Sequence, residues 1–426
     1  MIYLHVPFCR SFCTYCDFYS EIACRDRDAQ QFQAYADAVC AEAQRRRGEI
    51  DATRSLNTLY IGGGTPSVLP LSLLRQMAAQ LITGGVPPEP PASLRCGNAL
   101  PGQPAARLPE QTAFTEFTIE VNPEDIVEKG PDYVRGLLSL GVNRISMGVQ
   151  SLDDGILRWM NRRHDADRAR QAFRILREAG VKNISVDLIF GLSQLSEAVF
   201  SATLDEIVRW RPEHVSAYQL SIEDGSALGE MVRTGRYTEA SQEQCAAQYR
   251  LLCDTLRDAG YVHYEISNWA LPGREAVHNS AYWSRHPYVG LGPGAHSFDG
   301  TVRSWNAESL PPAQAATAAE NRSHPRLRKR EGPASEGSGR GPAQQDVFRG
   351  SSPLRGGKEV LSEKEAKEEK VFLGLRTARG VTEDLLPKEK AAGMLSDGRL
   401  ARTAEGRLRI PEDRWFVSDD IIADLL

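Results

Sequence analysis

The chain has 426 residues, 41% of them hydrophobic and 25% charged, an ordinary mix for a soluble globular protein of two or three domains. With 51 Lys and Arg against 56 Asp and Glu, its net charge is −5; a nucleic-acid-coating surface is therefore not expected, because neutralising phosphates takes a basic surplus. No apolar run approaches the roughly 18 residues of a spanning helix, and MIYLHVPFCR lacks the basic and apolar regions of a signal peptide, so the expected compartment is the cytoplasm.

The first predicted strand, Ile2–Val6, runs into HVPFCRSFCTYCDF, where Cys9, Cys13 and Cys16 form a C-x3-C-x2-C pattern. In a reducing compartment such thiols are metal ligands or small hydrophobes rather than disulfides. Three soft sulfur donors this close can wrap one metal centre, and Phe8, Phe12, Tyr15 and Phe18 between and around them suit a dry shell. Two readings stay open here: an iron–sulfur cluster with one iron lacking a protein ligand, or a structural zinc completed by His5 or Cys24. Cys40, Cys96, Cys245 and Cys253 are scattered, and the last two read as buried small hydrophobes in a helical pattern.

Five more strands are predicted at Thr58–Ile61, Phe117–Val121, Arg144–Gly148, Ile184–Ile189 and Val215–Leu220. Between them lie helix-patterned stretches at Gln30–Arg47, Asp132–Leu140, Ala166–Ala179 and Glu197–Trp210. Strand and helix in alternation imply an α/β fold with a parallel sheet, six units being short of a closed eight-stranded barrel. Chemistry then belongs at the C-terminal ends of the strands, where most of the distinctive motifs fall. Residues 83–116, rich in Pro, Gly and Ala, read as a surface excursion, and 311–358 as a disordered linker whose Arg326–Arg330 run is a solvated tether. Beyond it, 359–426 has the size of a small helical or winged-helix-like domain.

With the cysteine loop in place, the sequence resembles the radical S-adenosylmethionine (SAM) proteins, in the branch of the oxygen-independent coproporphyrinogen III oxidases and the haem chaperones. The resemblance implies a partial (β/α)6 TIM-like barrel over 1–230, a haem-handling extension over 231–310 and the small C-terminal domain. It implies that Cys9, Cys13 and Cys16 hold a [4Fe-4S] cluster whose fourth iron SAM chelates, and that an electron from the cluster can cleave the sulfonium C–S bond. By the same resemblance SAM is contacted by Tyr3, by Tyr15 inside the cysteine loop, and by Gly63, Gly64 and Thr65 of the YIGGGTPS segment. Glu120 of TIEVNPED, Gln150 of ISMGVQS, Arg162 of MNRRH and Asp187 of SVDLIFGL complete that set.

Two features divide the branch. The oxidases resemble C-x3-C-x2-C-x-C, and this chain has Phe18 at the last position; their N-terminal extension is also expected to be missing, since the first strand starts at Ile2. His278-Asn-Ser-Ala-Tyr-Trp283 resembles the chaperones' HNxxYW signature, an imidazole for iron beside aromatics for a porphyrin face. His296 of GLGPGAHSF ranks second as a contact for SAM or porphyrin, and Glu369–Arg376 (EKVFLGLR) resembles the helix opening the branch's C-terminal domain. The reading implied is a haem chaperone, with haem, a [4Fe-4S] cluster and SAM as its groups. Its expected partners are haem-requiring apoproteins and an electron donor such as flavodoxin or ferredoxin; nucleic acid is not expected, and any membrane contact would be peripheral, through recipient proteins. A coproporphyrinogen oxidase, or a radical SAM enzyme for another substrate, is the alternative.

Overall fold

The computed structural model describes residues 1–23, 28–83, 114–310 and 355–426. Cys24, Cys96, most of the 83–116 excursion and 311–354 of the expected linker, with Arg326–Arg330, lie outside the described residues. Six parallel strands form the core of the sheet: β1 (Ile2–Val6), β2 (Thr58–Gly63), β3 (Glu116–Val121), β4 (Arg144–Gln150), β5 (Ile184–Phe190) and β6 (His214–Gln219). Two short antiparallel strands, β7 (Val262–Glu265) and β8 (Asn268–Ala270), extend it beyond β6, while β9 (Val289–Leu291) adds in parallel beside β1. The order is β9-β1-β2-β3-β4-β5-β6-β8-β7, the open-barrel arrangement expected plus three strands the sequence pattern did not reveal.

Alternation along the strands separates an apolar outside from a polar inside. Leu59, Ile61, Ile119, Ile145, Val186 and Val215 are all essentially inaccessible and pack in the apolar core. Their neighbours Tyr60, Thr118, Glu120, Arg144, Ser146, Ser185, Asp187, Ser216 and Tyr218 occupy the opposite face, because successive residues of a strand point to opposite sides. Polar side chains facing a barrel interior must find partners or a ligand, which already distinguishes this sheet from a purely structural one.

Of the four expected helices, Glu197–Trp210 is observed with those bounds, whereas the first two differ at their ends. The first covers Asp28–Arg45 and breaks at Arg46, after which Arg47–Ala52 forms a separate short helix. Arg46 leaves the helical path and reaches across the seam, donating to Gly290 O at 2.7 Å and Ser297 Oγ at 2.9 Å. Buried Glu42 accepts from Gly292 N and Asn306 Nδ2, so this one turn stitches the first helix to the chain after β9. The Asp132–Leu140 expectation captures only the second half of Pro123–Ser139, whose halves meet at Gly130 with φ of +70° before Pro131. Asp165, Ser196 and Ser241 cap the helices Ala166–Glu178, Glu197–Trp210 and Gln242–Asp258 by accepting a backbone N–H, as N-cap side chains do.

A three-stranded antiparallel sheet follows, β10 (His296–Phe298), β11 (Val302–Asn306) and β12 (Arg355–Val360). Residues 355–358, expected as the end of the linker, are therefore strand: their backbone pairs with β11 despite two glycines, which Trp305 covers. The C-terminal domain contains helix Glu363–Leu375 with a full capping box, helix Lys388–Ser396, a two-stranded hairpin of Ala401–Arg402 and Leu408–Arg409, and helix Ser418–Leu425. Among the described residues no helix is long and apolar enough to cross a membrane.

Candidate functional site

A cavity of about 620 Å³ opens at the C-terminal ends of β2–β6. Cys9, Cys13, Cys16, Tyr15, Gly63, Gly64, Thr65, Glu120, Gln150, Arg162 and Asp187 all line it, so eleven sequence-selected residues converge from elements far apart in the chain. Tyr3 does not: its ring lies in β1, and its hydroxyl meets His5 Nδ1 at 3.0 Å.

The cysteine loop is fastened to the barrel rim. Gly64 N and Thr65 N donate to Val6 O and Phe8 O at 2.8 and 2.7 Å, bringing the glycine segment directly against the loop. A Cβ on Gly64 would stand 2.7 Å from Phe8 O, and Gly63 has φ of +108°, so side chains are excluded where the two backbones touch. Cys9 Sγ lies 3.5 Å from Thr65 Oγ1, and Arg162 Nη1 donates to Cys13 Sγ at 3.5 Å. Burial pushes the Cys9 thiol up and the Cys16 thiol to about 11, so ionising these two calls for a cation beside them.

The donor set fits a cluster better than a zinc ion. Both nitrogens of His5 are engaged, Nδ1 by Tyr3 and Nε2 by Tyr19 O at 2.9 Å, which removes it as a fourth zinc ligand. Among the described residues, Cys253, His263 and Glu412 are the trio of metal-ligating side chains with all donor atoms within 4.8 Å of one another. Cys9, Cys13 and Cys16 do not form such a trio, so at least one pair of their sulfurs stands beyond 4.8 Å, wider than the ~3.8 Å that ~2.3 Å bonds to one tetrahedral zinc would impose. A cubane has corners to spread them over.

Opposite the thiols the cavity wall is acidic. Glu120 accepts from Tyr60 Oη at 2.7 Å and Gly63 N at 3.1 Å, and burial, reinforced by Asp187, pushes its pKa up to about 7. Asp187 accepts from Ser146 Oγ at 3.0 Å, and burial raises its pKa too, opposed by the Arg144 guanidinium. Arg144 is 1% exposed and its guanidinium has no hydrogen-bond partner among the described residues, leaving it as a bare positive charge beneath the two carboxyls. Arg162 crosses the cavity as a fork, donating to Asn122 Oδ1 at 2.7 Å and Gly148 O at 2.8 Å. Gln150 ends β4 with φ of +64°, a left-handed conformation that a non-glycine residue rarely adopts, just past a bulge in the pairing with β5. Such strain is held by its surroundings and concentrates at functional sites.

His278 departs from expectation. It is fully buried, its Nδ1 meets Thr58 Oγ1 at 2.9 Å and its Nε2 meets Tyr282 Oη at 3.1 Å. Thr58 opens β2 at the end opposite Gly63, so His278 plugs the far end of the barrel from the cysteines. Burial lowers its pKa to about 3. An imidazole with both nitrogens occupied in a closed interior is a structural histidine and cannot reach iron in the cavity in this conformation; its neighbour Asn279 does border the cavity. His296, by contrast, is exposed and stacks on Trp305 with 5.8 Å between ring centres.

Sequence reasoning missed Asn122, Ser146, Ser216 and Tyr218. Asn122 is the first residue past β3 and joins Arg162 to Thr65, donating to Thr65 Oγ1 at 3.1 Å. The other three sit at inward positions of β4 and β6, and the period of two would have found them.

Comparison with known proteins places this geometry. The Radical SAM superfamily model matches residues 3–207. The chain is 29% identical over 379 residues to the haem chaperone HemW of Lactococcus lactis subsp. lactis (strain IL1403), covering 89% of this chain and 82% of that protein. It is 31% identical to the HemW of Mycobacterium tuberculosis (strain ATCC 25618 / H37Rv) over 72% of this chain and 71% of the relative. In fold it is similar to coproporphyrinogen III oxidase (HemN) from Escherichia coli, with a TM-score of 0.67 at 19% identity, covering 99% of this chain and 89% of that one.

Proposed function

Because the chain belongs to the radical SAM superfamily and, within it, to the HemW family, we propose that it is a haem chaperone that binds haem and hands it to haem-requiring apoproteins. The observation that carries the reading is the single cavity in which three cysteine thiols meet Glu120, Gln150, Arg162 and Asp187. Cys9, Cys13 and Cys16 would hold a [4Fe-4S] cluster, leaving one iron for the amino-acid end of SAM. When bound, that pair supplies one-electron chemistry at a sulfonium centre.

What the chain's own residues contribute follows from their charge. Glu120 and Asp187 are held back from ionising by burial, and a cationic ligand removes that obstacle; SAM brings both an ammonium and a sulfonium. Arg162 and Gln150 offer donors for carboxylate or ribose oxygens, and Tyr15 offers an aromatic face. Gly63 and Gly64 let the backbone approach the ligand. An electron donor such as flavodoxin or ferredoxin would feed the cluster.

For the haem itself we assign the iron ligand to His296 rather than His278, because its imidazole is exposed and already stacked against an aromatic face. Anaerobic titration of the purified protein with haem tests the proposal: a saturable Soret band is expected, weakened by His296→Ala and kept in His278→Gln. Absence of saturable binding would sink the chaperone reading, and decarboxylated product from coproporphyrinogen III would install the oxidase in its place. The fate of Phe18, 70% exposed beside the cluster loop, favours the chaperone, since the oxidases' further cysteine is absent there.

A further inference from the structure

A second group of metal-ligating side chains lies well away from the cysteine loop, where the barrel meets the C-terminal domain. Cys253 comes from helix Gln242–Asp258, His263 from β7 and Glu412 from the turn Glu412–Val417, and their donor atoms all lie within 4.8 Å of one another. We propose that Cys253, His263 and Glu412 form a binding site for one zinc-class divalent cation that ties the C-terminal domain to the barrel.

The donor chemistry supports it first. One thiolate, one neutral imidazole and one carboxylate carry two negative charges, which a single divalent cation neutralises inside a mostly buried site. A water molecule would complete a tetrahedron. Loading the site releases the Cys253 proton to solvent, so the sulfur–metal bond replaces an S–H bond with no change of oxidation state.

The surroundings have the features that orient metal ligands. His263 Nδ1 lies 3.1 Å from Glu412 Oε1, while its Nε2 faces Ile266 O at 3.5 Å. A neutral imidazole flanked by two acceptors can donate to only one of them. A cation on Nδ1 resolves the conflict: Nε2–H then serves the carbonyl, the usual arrangement behind a metal-bound histidine. Tyr249 hydrogen-bonds Cys253 and also donates to Ile266 O at 3.1 Å. Trp269 stacks on the His263 ring at 4.1 Å and Trp415 meets it edge-on at 4.3 Å, fixing its plane with aromatics from both domains. Without a cation, burial and the Glu412 charge push the Cys253 thiol up to about 12. Arg257 reaches Glu412 Oε1 at 3.4 Å, but its shorter bond, 2.8 Å, goes to Asp254, so a metal at Glu412 leaves it a partner.

The test uses the full chain with Cys9, Cys13 and Cys16 each replaced by Ser, so that the loop thiols cannot compete. Zinc added in excess and then dialysed away should leave one equivalent per chain, and cobalt should give a thiolate-to-cobalt charge-transfer band in the near ultraviolet. Adding Cys253→Ser should abolish the band, Glu412→Gln should weaken cobalt binding at least tenfold, and Cys245→Ser should change neither. Circular dichroism identifies any variant that has lost its fold; should Cys253→Ser be one, the isosteric and more exposed Glu412→Gln decides alone. No retained zinc, or binding indifferent to Glu412→Gln and Cys253→Ser, overturns the proposal.

Discussion

Tyr60 and Glu120 sit on neighbouring strands and share a 2.7 Å hydrogen bond, so the carboxyl that lines the cavity is clamped before any ligand arrives. Their positions follow from strand alternation, and their energetics from burial.

Glu120 gives a signed pH dependence. Its folded pKa of about 7 lies above the ordinary 4.5, so between those values the folded chain binds a proton that the unfolded chain has released. The Glu120 contribution to the stability of the ligand-free protein should therefore fall as pH rises from about 4.5 to about 7, by up to ~3 kcal/mol, opposite in sign to the His278 contribution between about 4.5 and 6.5. Glu120→Gln should remove that component, seen in urea titrations as a parent-minus-variant stability difference that falls across the range.

Removing the His278 ring should cost stability more than function. The change leaves Thr58 Oγ1 and Tyr282 Oη without their partner and opens a void, so His278→Ala should lower unfolding free energy by ~2–4 kcal/mol. Because burial lowers its pKa from 6.5 to about 3, acidification below 6.5 favours the unfolded chain by ~1.4 kcal/mol per pH unit, a slope the variant should lack.

Arg162→Lys should be far from conservative. A lysine cannot serve Cys13 Sγ, Asn122 Oδ1 and Gly148 O together, since it lacks the planar fork. Iron content after anaerobic reconstitution should drop, and SAM should bind ~10–100-fold more weakly by equilibrium dialysis.

Gln150 should show a trade between stability and binding. Gln150→Gly relieves a left-handed conformation that costs a side-chain-bearing residue ~1 kcal/mol, so thermal stability should rise while SAM affinity falls. Unchanged affinity would remove Gln150 from the ligand contacts.

The six parallel strands were legible because β-branched runs recur between amphipathic stretches. Their C-terminal ends were not: β2 continues through Gly62 and Gly63, poor strand formers, and β4 reaches Gln150 only through a bulge with a positive φ. Pro131 hid the helix before it, since Gly130-Pro131 reads as a stop while the structure merely kinks there. β9 was missed because three residues inside a glycine-rich segment carry no period. Most of the cavity lining could be named from motifs, whereas the burial of His278 could not: a histidine beside tyrosine and tryptophan reads alike whether it faces iron or a threonine across a barrel.

β11 and β12 hydrogen-bond along their length, from Val302 opposite Val360 to Asn306 opposite Arg355. The polypeptide thus departs and re-enters at one place, like thread drawn through adjacent stitches. Closure entropy grows only logarithmically, ~0.6 kcal/mol for each doubling of the excursion. Whatever is spliced between those strands, an affinity tag or a reporter domain, should be carried by the protein at little expense to the rest of its architecture.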